Sequence, residues 1–425
     1  MRTPSAHAGL TRVAAEMRQH LEEGIVPFWA AMARDAECGG YLTRFDGNGR
    51  SLGTPEKYLN TQCRLLWWFS TLVRWQPHRT DFRALADHGF EFIRRHFWDA
   101  RHGGWCWKVK RDGSPLDEGK VVYGQSFALY ALAEYALAGG GAEPRRLVEE
   151  TFNLLQFHCA DTRHGGYLEN LEPDWTPSAA GFHAGDRKSL DTHMHLLESF
   201  TSVYALTRRE VHRRKLLEVA ALIQDRMIDA GTGCGRNQFD LAFNPQPAIA
   251  IRRTWNAERR GEAPATPTDT TSYGHNLELA WLLRRALETV DAPLAPALPC
   301  IRRLGAHAVA HGVDWEFGGV FRDGTATGGP LVLEKEFWQN AEALVGLLDA
   351  YELFGEARTW EAFRKVWDFS RDHFIAPCGE WRVLLDRAGR PLDANVGNEW
   401  KAVYHTGRAM LECVGRLDRL QKGAA

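Results

Sequence analysis

The chain has 425 residues, of which 44% are hydrophobic and 25% are charged, and its formal net charge is -2. This balance, without a block of like charges, gives no reason to expect binding to nucleic acid or to an anionic membrane. No stretch approaches the roughly 18 consecutive apolar residues of a membrane helix. Residues 1–24 show no apolar core followed by a cleavage site, so we expect no secretory signal and a cytoplasmic protein.

A Gly-Gly unit recurs along the chain and indicates an internal repeat. It reads CGGYLTRFDGNG from residue 38, HGGWCWKVKRDG from 102, HGGYLENLEPDW from 164 and FGGVFRDGTATG from 317, with weaker copies at 231 and 378. Paired glycines suit tight turns because positive φ costs them nothing. The six marker glycines, spaced by 61 to 85 residues, are Gly39, Gly103, Gly165, Gly233, Gly318 and Gly379.

Between the markers, apolar residues recur at helical spacing. This periodicity predicts one set of helices over 64–74, 126–138, 194–206, 277–288, 341–354 and 407–417. It predicts a second helix before the following marker, for example over 82–97, 145–158, 213–228 and 359–374. Each unit is then an αα-hairpin whose returning connection carries a short strand-like turn.

Six αα-hairpins can stack as an open solenoid or close into an (α/α)6 barrel. The first helices are apolar nearly all round, as helices inside a ring should be, and no polar capping unit is found at either end. We therefore predict an all-α fold, a single (α/α)6-barrel domain over residues 1–425 with short β-turn insertions at one end. The longest interval has its excess in residues 249–271, which we interpret as an active-site loop.

The starts of the first helices carry polar and aromatic residues that simple packing does not need. They are Asn60 and Arg64, Tyr123 and Gln125, Asp191, His193 and His195, Tyr273, His275 and Glu278, Trp338 and Gln339, and Trp400, Tyr404 and His405. In a closed ring these starts point to one end and converge on one pocket. Asp191 and His195, like His275 and Glu278, share a helix face, and a carboxylate beside an imidazole suits a general acid or base.

The sequence lacks the motifs that are typical of several other kinds of functional site. His193 and His195 are two residues apart and point to different faces of a helix, and neither HExxH nor a cysteine cluster occurs, so we expect no metal. The eight scattered cysteines predict reduced thiols. Phosphate-binding GxxxxGK[ST] and GxGxxG loops and a GxSxG elbow are missing too, which argues against most kinases, dehydrogenases and esterases.

Six segments resemble the N-acylglucosamine 2-epimerase superfamily, most closely its cellobiose 2-epimerase and mannose 2-epimerase branches. They are CRLLWWFS, YGQSFALYALAEY, KSLDTHMHLLES, SYGHNLELAWLL, WQNAEALVGLLDAY and WKAVYHTGRAMLE, and the resemblance runs from about residue 20 to 417. It implies an (α/α)6 barrel that epimerises free sugars at C2, or isomerises aldose to ketose, with neither a metal nor a nucleotide redox cofactor.

The resemblance also assigns roles. It implies that His275 and His405 are the two acid/base histidines, that Glu278 is the glutamate beside the first, that His195 is a third histidine and that Arg64 faces the sugar oxygens at C1 and C2. The expected substrate-binding residues are Asn60, Tyr123, Asp191, Trp338 and Trp400. The chain departs from the cellobiose epimerase pattern at Asp191, Phe337 and Val403, where Asn, Trp and Pro are usual, and this leaves the substrate branch open.

The chemistry fits these residue types. A C2 proton is acidic only when C1 is a carbonyl, so the sugar ring must open first. One imidazole then removes the proton, Arg64 and His195 stabilise the enediolate, and the second imidazole protonates C2 from the opposite face. A loop at 249–271 folded over the pocket would leave room for one sugar ring. We therefore predict interconversion of D-mannose and D-glucose by a monomer or homodimer, with no cofactor and no partner besides the sugar.

Four alternatives stay open. The substrate could be a disaccharide such as cellobiose or mannobiose, or the reaction could be isomerisation of mannose to fructose. A glycoside hydrolase on the same fold would need two carboxylic residues, for which Asp191, Glu278 and Glu336 are available. A non-catalytic sugar-binding protein would account for the 16 Trp, 21 Phe and 10 Tyr but not for the paired histidines and carboxylates.

Overall fold

A computed structural model describes residues 4–254 and 270–422. The helices in these ranges are α1 (Pro4–Gln19), α2 (Val26–Met32), α3 (Leu59–Trp75), α4 (Thr80–His96), α5 (Val122–Leu137), α6 (Ala142–Leu154), α7 (Leu190–Thr207), α8 (Glu210–Leu222), α9 (Tyr273–Thr289), α10 (Leu298–His307), α11 (Phe337–Phe354), α12 (Ala357–Phe369) and α13 (Tyr404–Lys422). The protein is mostly helical, as the sequence predicts.

Six inner helices contact one another in a closed series. α3 packs against α5, α5 against α7, α7 against α9, α9 against α11, α11 against α13, and α13 again against α3. Each inner helix also packs against an outer one, in the pairs α3–α4, α5–α6, α7–α8, α9–α10, α11–α12 and α13–α1. The sixth pair therefore joins the last helix to the first. The sequence did not predict α1 or α2.

Short antiparallel sheets lie in the connections between the helices. Their strands are β1 (Glu56–Tyr58), β2 (Lys108–Lys110), β3 (Pro115–Asp117), β4 (Lys120–Val121), β5 (Asn170–Leu171), β6 (Arg187–Ser189), β7 (Gln238–Asp240), β8 (Pro245–Gln246), β9 (Thr270–Ser272), β10 (Asp323–Thr325), β11 (Pro330–Val332), β12 (Lys335–Glu336), β13 (Leu384–Leu385) and β14 (Pro391–Asp393). The sheets run β1-β2-β3, β4-β5, β6-β7-β8, β11-β10-β9 and β12-β13-β14. Because β1, β4, β6, β9 and β12 each lead directly into an inner helix, these sheets fix where α3, α5, α7, α9 and α11 begin.

The Gly-Gly turns have the backbone that the repeat predicts. The six marker glycines all have positive φ, between 72° and 90°. At Gly40 a Cβ atom would lie 2.7 Å from the Phe92 ring and 2.8 Å from Gln62, so the second glycine is needed for close approach.

Buried lysines tie these turns to the inner helices. Each of four lysines lies two residues before an inner helix, has a fully buried side chain and donates to an aspartate of the preceding Gly-Gly turn. The pairs are Lys57–Asp35, Lys120–Asp99, Lys188–Asp161 and Lys335–Asp314, with Nζ to oxygen distances of 2.6 to 3.1 Å. In the fourth unit Thr271 stands at the lysine position, and Asp229 pairs with Arg236 instead.

The predicted helices are confirmed with one systematic difference, since every inner helix begins three to five residues earlier than its apolar periodicity indicates. The predicted loop at 249–271 lies mostly outside the described residues, which omit 255–269. All eight cysteines are free thiols. Among the described helices, none has the length and apolar character needed to cross a membrane.

Candidate active site

The starts of the inner helices surround a cavity of about 510 Å³. All six inner helices contribute to its wall, through Arg64 on α3, Tyr123 on α5, Asp191 and His195 on α7, His275 and Glu278 on α9, Trp338 on α11 and His405 on α13. Trp400, just before α13, also lines it. Asn60 is fully buried and is not among the described residues that line the cavity. The other nine predicted site residues lie together.

Two histidines flank a tryptophan in this cavity. The ring centroid of Trp338 lies 4.6 Å from that of His275 and 5.7 Å from that of His405. Burial lowers the pKa of His275, although Asp191 and Glu278 oppose the shift. Burial, together with the positive charges of Arg64 and Arg408, lowers the pKa of His405 further. Burial therefore favours the neutral form of both imidazoles, the form that can accept a proton.

His195 has the opposite electrostatic environment. Its Nε2 lies 3.3 Å from Asp191 Oδ1 and its Nδ1 lies 3.1 Å from Glu198 Oε2. Burial alone would lower the pKa of His195, but the bonds to these two carboxylates outweigh it and raise the pKa to about 9. His195 is thus a fixed cation at neutral pH. The same Asp191 oxygen lies 3.5 Å from His275 Nε2, so one carboxylate joins both histidines.

Arg64 supplies a second cation. It donates to the Trp400 carbonyl oxygen at 2.6 Å and to the Tyr123 hydroxyl at 2.8 Å, and its guanidinium lies 4.5 Å from the centre of the Phe127 ring. The Tyr123 ring meets His195 edge-on, with centroids 5.1 Å apart. Arg64 and His195 therefore lie in one corner of the cavity, where they can stabilise a negatively charged oxygen.

Behind the cavity lies a buried charge network that the sequence did not predict. Glu342 contacts His405 Nδ1 at 2.8 Å, which leaves Nε2 as the free nitrogen of that imidazole. Arg408 donates to Glu342 at 2.7 Å and also to Glu198 and Glu278. The charged residues sit inside apolar helical segments such as HLLESF, NAEALV and TGRAML, and that interruption was the signal available in the sequence.

The network adds contacts to the predicted pair of Glu278 and His275. Burial lowers the pKa of His275, and Glu278 opposes this shift, as a neighbouring carboxylate should. Glu278 also accepts from Arg408, while His275 Nε2 lies 3.5 Å from Asp191. Glu278 is part of the cavity wall, and its buried Oε2 has no hydrogen-bond partner among the described residues.

Glu278, Glu342 and His405 also form a group whose ligand atoms all lie within 4.8 Å of one another. Arg408 donates to both carboxylates of this group. The Arg408 guanidinium thus supplies the positive charge that a bound metal ion would otherwise bring to these two carboxylates.

His193 has a structural role. Its Nδ1 contacts the Ser189 carbonyl oxygen at 2.8 Å, and its Nε2 accepts the backbone N–H of Tyr167 at 3.0 Å. Burial lowers the pKa of His193 to about 4, so the ring stays neutral. Gln62 and Gln125 bind the equivalent turns in the first two units, because their side-chain oxygens accept the backbone N–H groups of Tyr41 and Trp105. His193 therefore holds a Gly-Gly turn and points away from His195.

One family model matches most of this chain. The model of the N-acylglucosamine 2-epimerase (GlcNAc 2-epimerase) family matches residues 40–409. A protein named cellobiose 2-epimerase from Bacteroides fragilis is 28% identical over 94% of this chain and 98% of its own length. One named D-mannose isomerase from Marinomonas mediterranea is 24% identical over 94% of this chain and 97% of its own. The solved structure of cellobiose 2-epimerase from Spirochaeta thermophila covers 98% of this chain and 100% of its own, at 28% identity and a TM-score of 0.86.

Proposed function

The chain belongs to the N-acylglucosamine 2-epimerase family, an enzyme family that acts on carbohydrates, and we propose that it inverts C2 of an open-chain aldose by proton transfer between two histidines. One observation carries this proposal. Two imidazoles, His275 and His405, line one cavity and both lie beside Trp338, and two cations, Arg64 and protonated His195, line the same cavity. A two-base proton transfer through an oxyanion requires two such imidazoles, one neutral and one protonated, together with fixed positive charge.

We infer that the fold is an (α/α)6 barrel forming a single domain. The cyclic contacts of the six inner helices and the pairing of α13 with α1 support this inference. The likeness to the cellobiose 2-epimerase of Spirochaeta thermophila, over 98% of this chain, agrees with it.

In the proposed mechanism one imidazole takes the C2 proton and the C–H electron pair moves toward C1, so the carbonyl oxygen becomes the oxyanion of an enediolate. Arg64 and protonated His195 stabilise that charge. The other imidazole must carry a proton at this step, and it delivers that proton to the opposite face of C2. The first imidazole keeps the proton taken from C2, so the starting protonation state returns after the reverse turnover or after exchange of one proton with water.

The contact between Glu342 and His405 offers a place for the proton of the second imidazole. Both groups belong to a network in which Arg408 contacts Glu198, Glu278 and Glu342, and protonated His195 contacts Asp191 and Glu198. Burial raises the pKa of Glu342 while it lowers that of His405, so the 2.8 Å contact between them can hold that proton.

For the substrate we propose D-mannose and D-glucose. The described start of the 249–271 segment supports a monosaccharide, because Thr254 lines the cavity, as does Ser272 immediately after the segment. Residues 252–253 are also bound to earlier units, since Arg253 donates to Asp117 at 2.7 and 2.8 Å and the Arg252 carbonyl oxygen accepts from Asn170 at 2.9 Å. Chain held at the cavity edge leaves less room for a second sugar ring.

The second candidate substrate is a disaccharide with a reducing glucose, such as cellobiose. Relatives named cellobiose 2-epimerase match 93 to 95% of this chain and support it. A glycoside hydrolase is less well supported. Its two carboxyl groups would have to be free to act on the sugar. Asp191 contacts two histidines and Glu278 is bound by Arg408. The third carboxylate, Glu336, accepts from Trp338 Nε1 at 2.7 Å.

One experiment separates these functions. The protein is incubated with D-mannose in D2O, and in parallel with cellobiose, and the products are followed by NMR. We expect glucose carrying deuterium at C2, and a higher kcat/KM for D-mannose than for cellobiose. Fructose as the main product would indicate an isomerase, and unchanged sugars with no deuterium would contradict the proposed function. Equal or faster turnover of cellobiose would make the disaccharide the substrate.

A further inference from the structure

Arg408 lies on α13, three residues after His405, and its side chain is 1% exposed. Its guanidinium contacts carboxylates from three other inner helices, namely Glu198 on α7, Glu278 on α9 and Glu342 on α11. It also lies 4.2 Å from the centre of the Tyr404 ring and 4.9 Å from that of Trp281. One side chain thus joins four of the six inner helices behind the cavity.

Each of the three carboxylates either contacts a residue of the cavity wall or belongs to the wall itself. Glu342 contacts His405 Nδ1 at 2.8 Å, and Glu198 contacts His195 Nδ1 at 3.1 Å. Glu198 also accepts the Tyr404 hydroxyl at 2.6 Å. Glu278 is itself part of the cavity wall. The orientation of His195, the orientation of His405 and the place of the Glu278 carboxylate therefore depend on the same guanidinium.

We propose that Arg408 is a positioning residue of the C2 epimerisation: through three shared carboxylates it holds His195 and His405 in the geometry that the reaction needs, without touching the sugar. The proposal rests on the function proposed above. A planar guanidinium can serve several carboxylates at fixed angles, which a lysine ammonium cannot reproduce. Buried carboxylates that lose their cation take up protons or turn away, and they release the imidazoles that they hold.

The first test is Arg408→Lys, which keeps the charge and removes the planar fork. We expect kcat to fall on the order of 100-fold, as for small misplacements of catalytic groups, while KM changes little because the sugar does not touch Arg408. In Arg408→Gln we also expect the acid limb of the kcat profile to move to higher pH. Arg64, His195, His275 and Arg408 are the positive or ionisable groups that lower the pKa of His405, and this variant removes one of them.

Arg416 offers a matched control two turns further along α13. It is buried, it donates to Asp349 at 3.0 Å and it pairs with Glu412, yet it is not among the described residues of the cavity wall. Arg416→Lys and Arg416→Gln should lower the melting temperature but leave kcat and the pH profile unchanged.

Tyr404→Phe removes only the hydroxyl that donates to Glu198, and it tests the positioning network if the Arg408 variants do not fold. We expect it to lower kcat with KM unchanged.

The outcomes are distinct. A wild-type protein that exchanges no C2 proton overturns the proposed function and this inference with it. A wild-type protein that does exchange, together with Arg408→Lys and Tyr404→Phe variants whose kcat and pH profile match those of Arg416→Lys, overturns the positioning role alone. A selective loss of kcat in the Arg408 and Tyr404 variants supports it.

Discussion

At the scale of single residues, the cavity separates three histidines into two charge states. Burial favours the neutral form of His275 and His405, whereas Asp191 and Glu198 keep His195 protonated. Imidazoles of equal intrinsic basicity thus acquire different tasks from their neighbours. This division is what the proposed proton transfer needs, since two rings must exchange protons while a third stays charged.

The charge states predict a bell-shaped pH profile for kcat/KM. Activity rises as the base becomes neutral, so the acid limb should have an apparent pKa below the usual 6.5 of histidine. Activity falls as His195 or the protonated Glu342–His405 pair loses its proton, so the alkaline limb should lie at or below the His195 pKa of about 9. The measurement is initial rate against pH at low substrate concentration. An acid limb above pH 6.5, or an alkaline limb absent up to pH 10, would contradict these charge states.

Removing the His195 charge should have a large effect. In His195→Gln we expect kcat to fall about 100- to 1000-fold, as when a group that stabilises an oxyanion is removed, and the alkaline limb to shift. His193→Gln is the matched control on the same helix, because glutamine already binds the equivalent turn through Gln62 and Gln125. Its kcat should stay near that of the wild type. Equal losses in the two variants would show that His195 is only structural.

Sequence reasoning found the residues that line the cavity because the repeat gave their register, with polar side chains at the same point of each hairpin. It missed Glu342 and Arg408 because the histidine and carboxylates that they contact are 63 to 210 residues away, and no local spacing records those contacts. It also missed Glu198, although the contact with His195 spans only three residues of one helix. Spacing and the resemblance placed Glu278 beside His275, whereas only the packed structure shows its contact with Arg408.

At the scale of elements, the buried lysines explain how each inner helix is held to its turn. Lys120 is fully buried and donates to Asp99 at 2.6 Å, while the corresponding aspartate of the fourth unit, Asp229, pairs with the partly exposed Arg236. Removing one partner of a buried pair leaves an uncompensated charge, whereas a pair near solvent can be replaced by water. The same ion-pair position therefore contributes different stability in different units.

We expect Lys120→Met to lower the free energy of unfolding by about 3–5 kcal/mol. Arg236→Met should lower it by about 1 kcal/mol or less. Urea unfolding followed by circular dichroism measures both. Similar losses in the two variants would mean that the buried lysines do not fix the helix starts in the way described.

The late predicted helix starts have a physical cause. The first turns carry polar and aromatic residues for the cavity, so the apolar periodicity begins only after them, as at Met194 in a helix that starts at Leu190. Where a helix serves a site with its first turn, hydrophobic spacing underestimates its length. The Gly-Gly turns were easier to predict because positive φ leaves a direct trace in the sequence.

At the scale of the whole molecule, the first and last helices complete the ring. Leu10, Val13 and Met17 on α1 are almost fully buried, and α1 packs on α13, which carries His405. The pattern within residues 1–24 gave no clear helix. The closed series also has a consequence that no single unit reveals, because the reaction centre depends on helices at both ends of the chain.

Removing residues 1–25 tests this closure. Each fully buried large apolar side chain contributes about 1.5–3 kcal/mol, so we expect a large drop in melting temperature and loss of activity as α13 loses its outer partner. Arg18→Ala is the control. It breaks only the pair with Asp418, whose side chains are 40% and 41% exposed, and should cost about 1 kcal/mol or less. Unchanged melting and activity in the truncated protein would contradict a role for α1 in holding the site.

The proposed mechanism requires two imidazoles that serve opposite faces of C2, and exchange of the C2 hydrogen from one face at a time tests this directly. His275→Gln and His405→Gln are each incubated in H2O with D-mannose and with D-glucose that carry deuterium at C2, and loss of the label is followed by NMR. We expect neither variant to epimerise. One should still release deuterium from mannose only, and the other from glucose only. Release from the same epimer by both variants, or continued epimerisation by either, would contradict the two-base arrangement.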